Sequence, residues 1–370
     1  MKNHLSKLIR PEVMEFKPYS PGLSIDEIRK KYKLDNVIKM ASNENPLGTS
    51  PVVQEVIQKN APLAFRYPAA GNPDLCKAIG QYLNIDHQRI VCGNGSDEII
   101  DLLIRVTAVP GRDNIVAFKP CFSIYKLQSR LCGVEFRQHA LKDDFTFDWE
   151  GLLSLVDENT RIVFITNPDN PSGHAVPSTE LGRIAERLPK SCILIIDEAY
   201  IDFSSPVEKY SSLVPAVESE NIVVLRTFSK MFALAGLRIG YGIMPHFLTD
   251  YLKRVRLPFS VNILAEKAGI AALNDQIFKD TTLELIVNER RLLSLELEKM
   301  GGQVYPSQAN FIMFKPPSNA WDIFEKLLSR GIIIRPLKSY GLPDLLRISI
   351  GTVKENNTLI KGLKAILDEK

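Results

Sequence analysis

A chain of 370 residues is long enough for one large and one smaller domain, and its 45% apolar and 24% charged content sets aside disordered and fibrous classes. With 46 basic against 43 acidic residues, the net charge of +3 is too weak a field to suggest nucleic acid or a membrane surface, so any bound anion must be met by a few placed arginines. Five cysteines without a Cys-x-x-Cys pair argue against a disulfide framework, and the N-terminus carries no apolar signal core; a cytoplasmic protein is the expectation.

Ser24-Ile25-Asp26-Glu27 is a capping-box pattern that predicts a helix start, and 43–48, with two Asn, a Pro and a Gly, predicts a loop. From about residue 50 the pattern alternates. Helices are predicted at 52–60, 73–83, 97–107, 122–131 and 178–188. Short β-branched runs lie between or after them, at 90–91, 114–117, 161–165, 192–196 and 222–225. Continuous apolar runs of that length mark strands buried on both faces, and their alternation with helices marks a mostly parallel, doubly wound sheet. After residue 265 the character changes. A charged helix is expected near 285–300, strands at 303–305, 311–314, 332–334 and 345–350, and helices at 321–329 and 357–369. The expected architecture is therefore α/β: a large doubly wound domain over 46–265, and a smaller α+β domain built from 1–45 and 266–370.

Chemistry gathers at the predicted strand ends, where α/β sheets bind ligands. Thr227-Phe228-Ser229-Lys230 follows the run 222–225, with Arg238 eight residues on. A lysine presented among hydroxyls and an arginine can hold a phosphorylated aldehyde as a Schiff base, the requirement for a pyridoxal-phosphate enzyme. Asp197 ends the run 192–196, where a carboxylate can pair with a protonated ring nitrogen; it can equally cap a following helix. Asn170, in Asn167-Pro168-Asp169-Asn170-Pro171, sits in a rigid turn and can donate its amide to a ligand oxygen. Gly93-Asn94-Gly95-Ser96-Asp97 opens a helix whose backbone N–H groups can hold phosphate, though such strings are commonly plain turns. No Walker lysine or G-x-G-x-x-G is present, so nucleotide binding is disfavoured. The five histidines, His4, His87, His139, His174 and His246, have no metal-ligand spacing.

In this order the four pieces resemble the fold-type-I pyridoxal-phosphate aminotransferases, the aspartate-aminotransferase-like fold. Pro18-Tyr19-Ser20-Pro21-Gly22, 39–48, Arg66-Tyr67-Pro68 and 228–241 look like the histidinol-phosphate aminotransferase family. The resemblance spans nearly the whole chain. It implies that Lys230 carries the cofactor aldehyde and then the proton, that Asp197 pairs with the ring nitrogen, and that Asn170 and Tyr200 bond the ring's phenolic oxygen. Gly95, Ser96, Asp97, Thr227, Ser229 and Arg238 match the phosphate cradle. Tyr67 matches a tyrosine that reaches the cofactor phosphate of the neighbouring subunit, which implies a homodimer with shared sites. Phe122 stands where the family often has a stacking tyrosine; stacking needs only the ring face. Arg347, with Arg335 as helper, matches the clamp for substrate carboxylate or phosphate, and Asn170 and Tyr19 line the substrate pocket.

The implied reaction is ping-pong transamination of L-histidinol phosphate with 2-oxoglutarate, in histidine biosynthesis. Three rivals share the motifs. An aromatic amino-acid aminotransferase differs little in pocket size, since one ring change in a hydrophobic pocket is worth only ~1–3 kcal/mol. A decarboxylase of phosphorylated threonine would release CO2. A cofactor-binding regulator would need a DNA-binding domain that the first forty residues are too few to supply.

Overall fold

The structure is a computed structural model that describes residues 8–16 and 24–369. Tyr19 and the Pro18–Gly22 motif lie outside the described residues. Seven strands form one sheet: β1 (Ile90–Asn94), β2 (Asn114–Lys119), β3 (Glu135–Ala140), β4 (Thr160–Thr166), β5 (Ile193–Asp197), β6 (Ile222–Thr227) and β7 (Ile239–Ile243), in the order β1-β7-β6-β5-β4-β2-β3. Every neighbouring pair is parallel except the two that involve β7. Six strands thus run one way and end on one edge of the sheet.

Alternate residues of the central strands feed two apolar layers. Val116, Val163, Leu194 and Val224 pack on one side. Ile115, Ile162, Ile195 and Val223 pack on the other, against the helix Ser96–Thr107. Burial on both faces is why these strands read as unbroken β-branched runs. β3 is the edge strand, half-exposed and polar (Glu-Phe-Arg-Gln-His-Ala), and shows no such run. β7, Ile-Gly-Tyr-Gly-Ile, is fully buried yet interrupted by glycines. Neither was predicted.

A second sheet is antiparallel: β8 (Gln303–Val304), β9 (Phe311–Lys315), β10 (Arg335–Pro336) and β11 (Leu346–Ser349), in the order β10-β11-β9-β8. Ile38–Lys39 pairs in parallel with Ile332–Ile333, which ties the chain before residue 45 to this C-terminal part. The capping box at Ser24 is present: the Glu27 N–H donates to Ser24 Oγ and the Ser24 N–H to the Glu27 carboxylate. The long helix is Gln276–Lys299, starting earlier than the expected 285. The helix Ile263–Asn274, unanticipated, runs through residue 265 and packs on Pro51–Asn60 and Pro73–Leu83. Its small apolar residues are buried round most of the helix, so it has no stripe for periodicity to detect. No described helix is long and apolar enough to cross a membrane.

Candidate active site

The parallel strands deliver their last residues to one edge: Asn94, Thr166, Asp197 and Thr227. There lies a cavity of about 300 Å³ that Ser96, Asp97, Phe122, Asn170, Asp197, Tyr200, Thr227, Ser229, Lys230 and Arg238 all line. Residues from six separate stretches of chain therefore meet as the sequence predicted. The cavity size suits a small ligand.

Lys230 follows β6 by three residues, and its Nζ donates to the Ser42 carbonyl at 3.1 Å. Burial, and then the nearby Arg347 guanidinium, hold the amine down to about 8. Asp197 ends β5 and is buried. Its Oδ2 accepts from the Tyr125 hydroxyl at 2.8 Å and its Oδ1 from the Ala199 N–H at 3.1 Å. Burial pushes this carboxyl up to about 6, and the Tyr125 bond opposes the shift.

Tyr200 is more crowded than the sequence suggested. Its hydroxyl oxygen accepts from Asn170 Nδ2 at 3.3 Å and from Asn43 Nδ2 at 3.1 Å. Burial pushes the phenol up to about 12, so it keeps its proton. With two N–H groups on its lone pairs, that proton is left for an acceptor in the cavity. Asn43 is held in turn by Ser349: its N–H donates to Ser349 Oγ at 2.8 Å, and the Ser349 hydroxyl donates to Asn43 Oδ1 at 2.9 Å.

At the far end of the helix Ser96–Thr107 axis the N-terminus opens beside Arg238. The Gly95 N–H donates to the Arg238 carbonyl at 3.1 Å, and Arg238 Nη2 donates to Asp97 Oδ2 at 3.2 Å. Thr227 and Ser229 share a 2.9 Å hydroxyl contact. Glycine is required twice here. Gly95 has φ +78°, and a Cβ would stand 2.5 Å from Arg238 Nη2. A Cβ on Gly240 would stand 2.2 Å from the Ser96 nitrogen and 2.6 Å from the Gly95 carbonyl carbon, both backbone atoms. Gly240→Ala is therefore expected to displace this cradle, costing ~1–3 kcal/mol of stability and weakening anion binding at the helix start. Thermal melts and phosphate-ester titration check it; unchanged values would remove the cradle from the account.

Arg347 lies on β11, opposite Arg335 of β10 in the ladder. It is buried, donates to Asn170 Oδ1 through Nη1 and to the Ala41 carbonyl through Nη2, and lies 5.1 Å from the Phe311 ring centroid. Its Nε has no partner, and among the described residues no carboxylate lies within 4.0 Å of the guanidinium. A buried cation without a counterion is costly unless an anionic ligand supplies one. Tyr67 does not line the cavity; it is exposed and stacks on Phe259 at 4.7 Å. Asn43, Thr166 and Tyr125 were not singled out by the sequence, nor were Ser42, Glu44, Ala199 and Ala235, which line the cavity. Tyr125 and Thr166 read as core and strand residues, and nothing local to them signals a carboxylate 72 positions away from Tyr125.

The donor set fits a phosphorylated pyridine aldehyde. An arginine, a helix N-terminus and two hydroxyls suit the phosphate, a carboxylate suits a protonated ring nitrogen, Tyr200 and Asn170 suit a phenolic oxygen, and a lysine amine suits the aldehyde. Sheet, lysine and carboxylate together define the class of fold-type-I pyridoxal-phosphate enzymes. Residues 35–363 match the model of the family described as aminotransferase class I and II. The chain is 59% identical over 359 residues to a histidinol-phosphate aminotransferase of Nitratidesulfovibrio vulgaris, covering 97% of this chain and 96% of the relative, and 56% identical to that of Oleidesulfovibrio alaskensis, covering 97% and 95%. The crystal structure of histidinol-phosphate aminotransferase from Sinorhizobium meliloti in complex with pyridoxal-5'-phosphate superposes with a TM-score of 0.87 at 26% identity, covering 98% of each chain. The chain belongs to the class I and II aminotransferases.

Proposed function

We propose that this chain is a pyridoxal-phosphate-dependent aminotransferase that interconverts L-histidinol phosphate and 2-oxoglutarate with imidazole acetol phosphate and L-glutamate, in histidine biosynthesis. The observation that carries it is the proximity of Lys230 to Arg347: an amine held down to about 8 near a buried guanidinium that has no counterion among the described residues. An amino-acid substrate has an amine to give and an anion to be clamped, and the site offers a partner for each. The identity of relatives over nearly the whole chain supports the particular substrate.

Pyridoxal phosphate, when bound here, supplies an aldehyde carbon that takes up the amino group and a cationic ring that accepts the electrons left by a departing proton. The residues do the rest. Lys230 would hold the aldehyde and, when free, its amine could take up and give back the substrate's α-proton. Asp197 would pair with the ring nitrogen. Tyr200, with Asn170 beside it, would donate to the phenolic oxygen. Gly95, Ser96, Asp97, Thr227, Ser229 and Arg238 would hold the phosphate, and Phe122 would cover a ring face. Arg347 clamps the carboxylate of glutamate or the phosphate of histidinol phosphate, with its planar fork suited to either, and Arg335 assists from the facing strand. The resemblance alone assigns Tyr19 to substrate binding.

We further propose a homodimer. Phe65, Tyr67 and Leu257 are largely exposed around the Tyr67–Phe259 stack, an apolar patch of the kind partners cover. Tyr67 then reaches the cofactor phosphate of the neighbouring subunit. We propose a large domain over 46–265 and a small domain built from 1–45 and 266–370, with the helix Ile263–Asn274 spanning the boundary. The enzyme belongs in the cytoplasm, where its free thiols stay reduced.

The test compares kcat/KM for histidinol phosphate and phenylalanine with 2-oxoglutarate as acceptor. Histidinol phosphate is expected to win by ~10–200-fold, because each substrate offers Arg347 an anion and the choice of ring is what separates them. A preference for phenylalanine overturns the substrate, and CO2 release without glutamate formation overturns the reaction class.

A further inference from the structure

Tyr125 is wholly buried yet keeps a polar hydroxyl, and that hydroxyl is spent on the site. It donates to Asp197 Oδ2 at 2.8 Å. Its oxygen lies 2.9 Å from Thr166 Oγ1. Because the phenol proton goes to the carboxylate, Thr166 must be the donor in that second contact. The ring is fixed as firmly as the hydroxyl: it stacks on Phe164 with centroids 4.3 Å apart and planes 3° apart. Phe122, one turn back at the start of Ser123–Leu131, meets it edge-on at 5.6 Å. One side chain therefore joins the residue that would cover the cofactor ring to the residue that would hold its nitrogen.

We propose that Tyr125, oriented by Thr166, is a positioning residue that keeps Asp197 ionised and aimed at the cofactor's ring nitrogen. The inference rests on the reading of Asp197 as that partner. A hydrogen bond to the charged form favours it, and burial disfavours it. The other groups facing Asp197 do not stabilise its charge: Asp97 from the helix Ser96–Thr107 and the adjacent Glu198 both oppose ionisation. Glu198 is itself neutralised by Arg226 of β6. Cys121 and Tyr200, the remaining titratable neighbours of this network, keep their protons, since burial pushes each up to about 12. Apart from the Ala199 N–H, Tyr125 supplies the stabilising contact to the carboxylate.

The experiment measures pyridoxal-phosphate affinity against pH for the wild type, Tyr125→Phe, Thr166→Val and Asp197→Asn. Tyr125→Phe keeps the ring and its stacking and removes only the hydroxyl. Losing a charge-assisted hydrogen bond is expected to move the acid limb of binding up by about one pH unit, so affinity falls about tenfold near pH 6 and little near pH 8.5. A ¹³C-carboxyl NMR titration of the cofactor-free protein, with Asp197→Asn identifying the signal, should show the same shift. Thr166→Val, which leaves the Tyr125 ring in place, should shift the limb in the same direction by less. An unmoved limb in both variants, or a uniform affinity loss at every pH, overturns the proposal. If Tyr125→Phe does not fold, the absence of a shift in Thr166→Val overturns it alone. Should Asp197→Asn bind the cofactor as the wild type does, the reading of Asp197 itself fails instead.

Discussion

Lys230→Ala should lower the turnover of both half-reactions by at least about three orders of magnitude while the protein stays folded. In the proposed reaction Lys230 would carry two duties, attachment of the aldehyde and transfer of the α-proton; general acid–base work alone is worth ~10²–10⁴-fold. Its amine is partly buried and pulled down to about 8, so near neutral pH an appreciable fraction is a free base. No second amine lines the cavity among the described residues. A small primary amine in the buffer should restore part of the glutamate half-reaction, because truncation leaves room where the ammonium stood. The sign of the stability effect can also be checked. An unfolded lysine keeps its proton to about pH 10.5, whereas the folded one loses it near 8, so the unfolded state binds more protons between these values. The cofactor-free wild type should gain stability with rising pH across that window, and Lys230→Ala should lose that gain. Single-turnover absorbance changes with glutamate, circular dichroism and melts against pH settle these points. Wild-type turnover in the variant would remove Lys230 from the mechanism.

What was legible in the sequence followed burial. β2, β4, β5 and β6 are covered on both faces, so their apolar runs stand out and their strand ends could be searched for chemistry. Lys230, Asp197 and Asn170 were singled out that way, since a polar residue at or shortly after the end of a buried run is conspicuous. β7 was hidden because its glycines answer to close approaches rather than to strand propensity: Gly240 abuts Ser96, and Gly242 abuts Ile99. β3 was hidden because an edge strand exposed on one side needs no apolar run. Tyr125 was hidden for a different reason. On an amphipathic helix a buried tyrosine looks like packing, and its partner sits on a strand that only the fold brings near. Asn43 lies in a predicted loop and a longer motif without any local signal of its own, and its contact with Tyr200 depends on Ser349 from β11. Residues proposed to hold the cofactor announce themselves at strand ends, whereas those proposed to orient them are dispersed among core positions.

Asp197→Asn is expected to cut kcat about a hundred- to a thousandfold without destabilising the cofactor-free protein, a combination that separates an electrostatic role from a structural one. The isosteric amide keeps the packing. It can accept from the Ala199 N–H through Oδ1 and donate to Tyr125 Oη through Nδ2; the Tyr125 hydroxyl then turns to Thr166 Oγ1, and Thr166, which lines the cavity, is left to turn its own proton into it. What is lost is the negative charge that would keep the ring nitrogen protonated, and with it the ring's capacity to accept electrons. The stability sign follows from the raised carboxyl. Folding favours the protonated form of Asp197, so its stabilising contribution is full below the unfolded value of 3.8 and is lost as pH rises through about 6. Above about pH 7 the buried carboxylate works against the fold of the cofactor-free protein, and the amide removes that cost. The Asn variant should therefore melt at or above the wild-type temperature near pH 8, with the advantage disappearing below about pH 4. Cofactor should reverse the order, because it brings the cation that only the aspartate can pair. Melts of the cofactor-free and cofactor-loaded proteins across pH, beside kcat for glutamate, read this out. A variant that is less stable without cofactor and only mildly slower with it would make Asp197 a structural carboxylate.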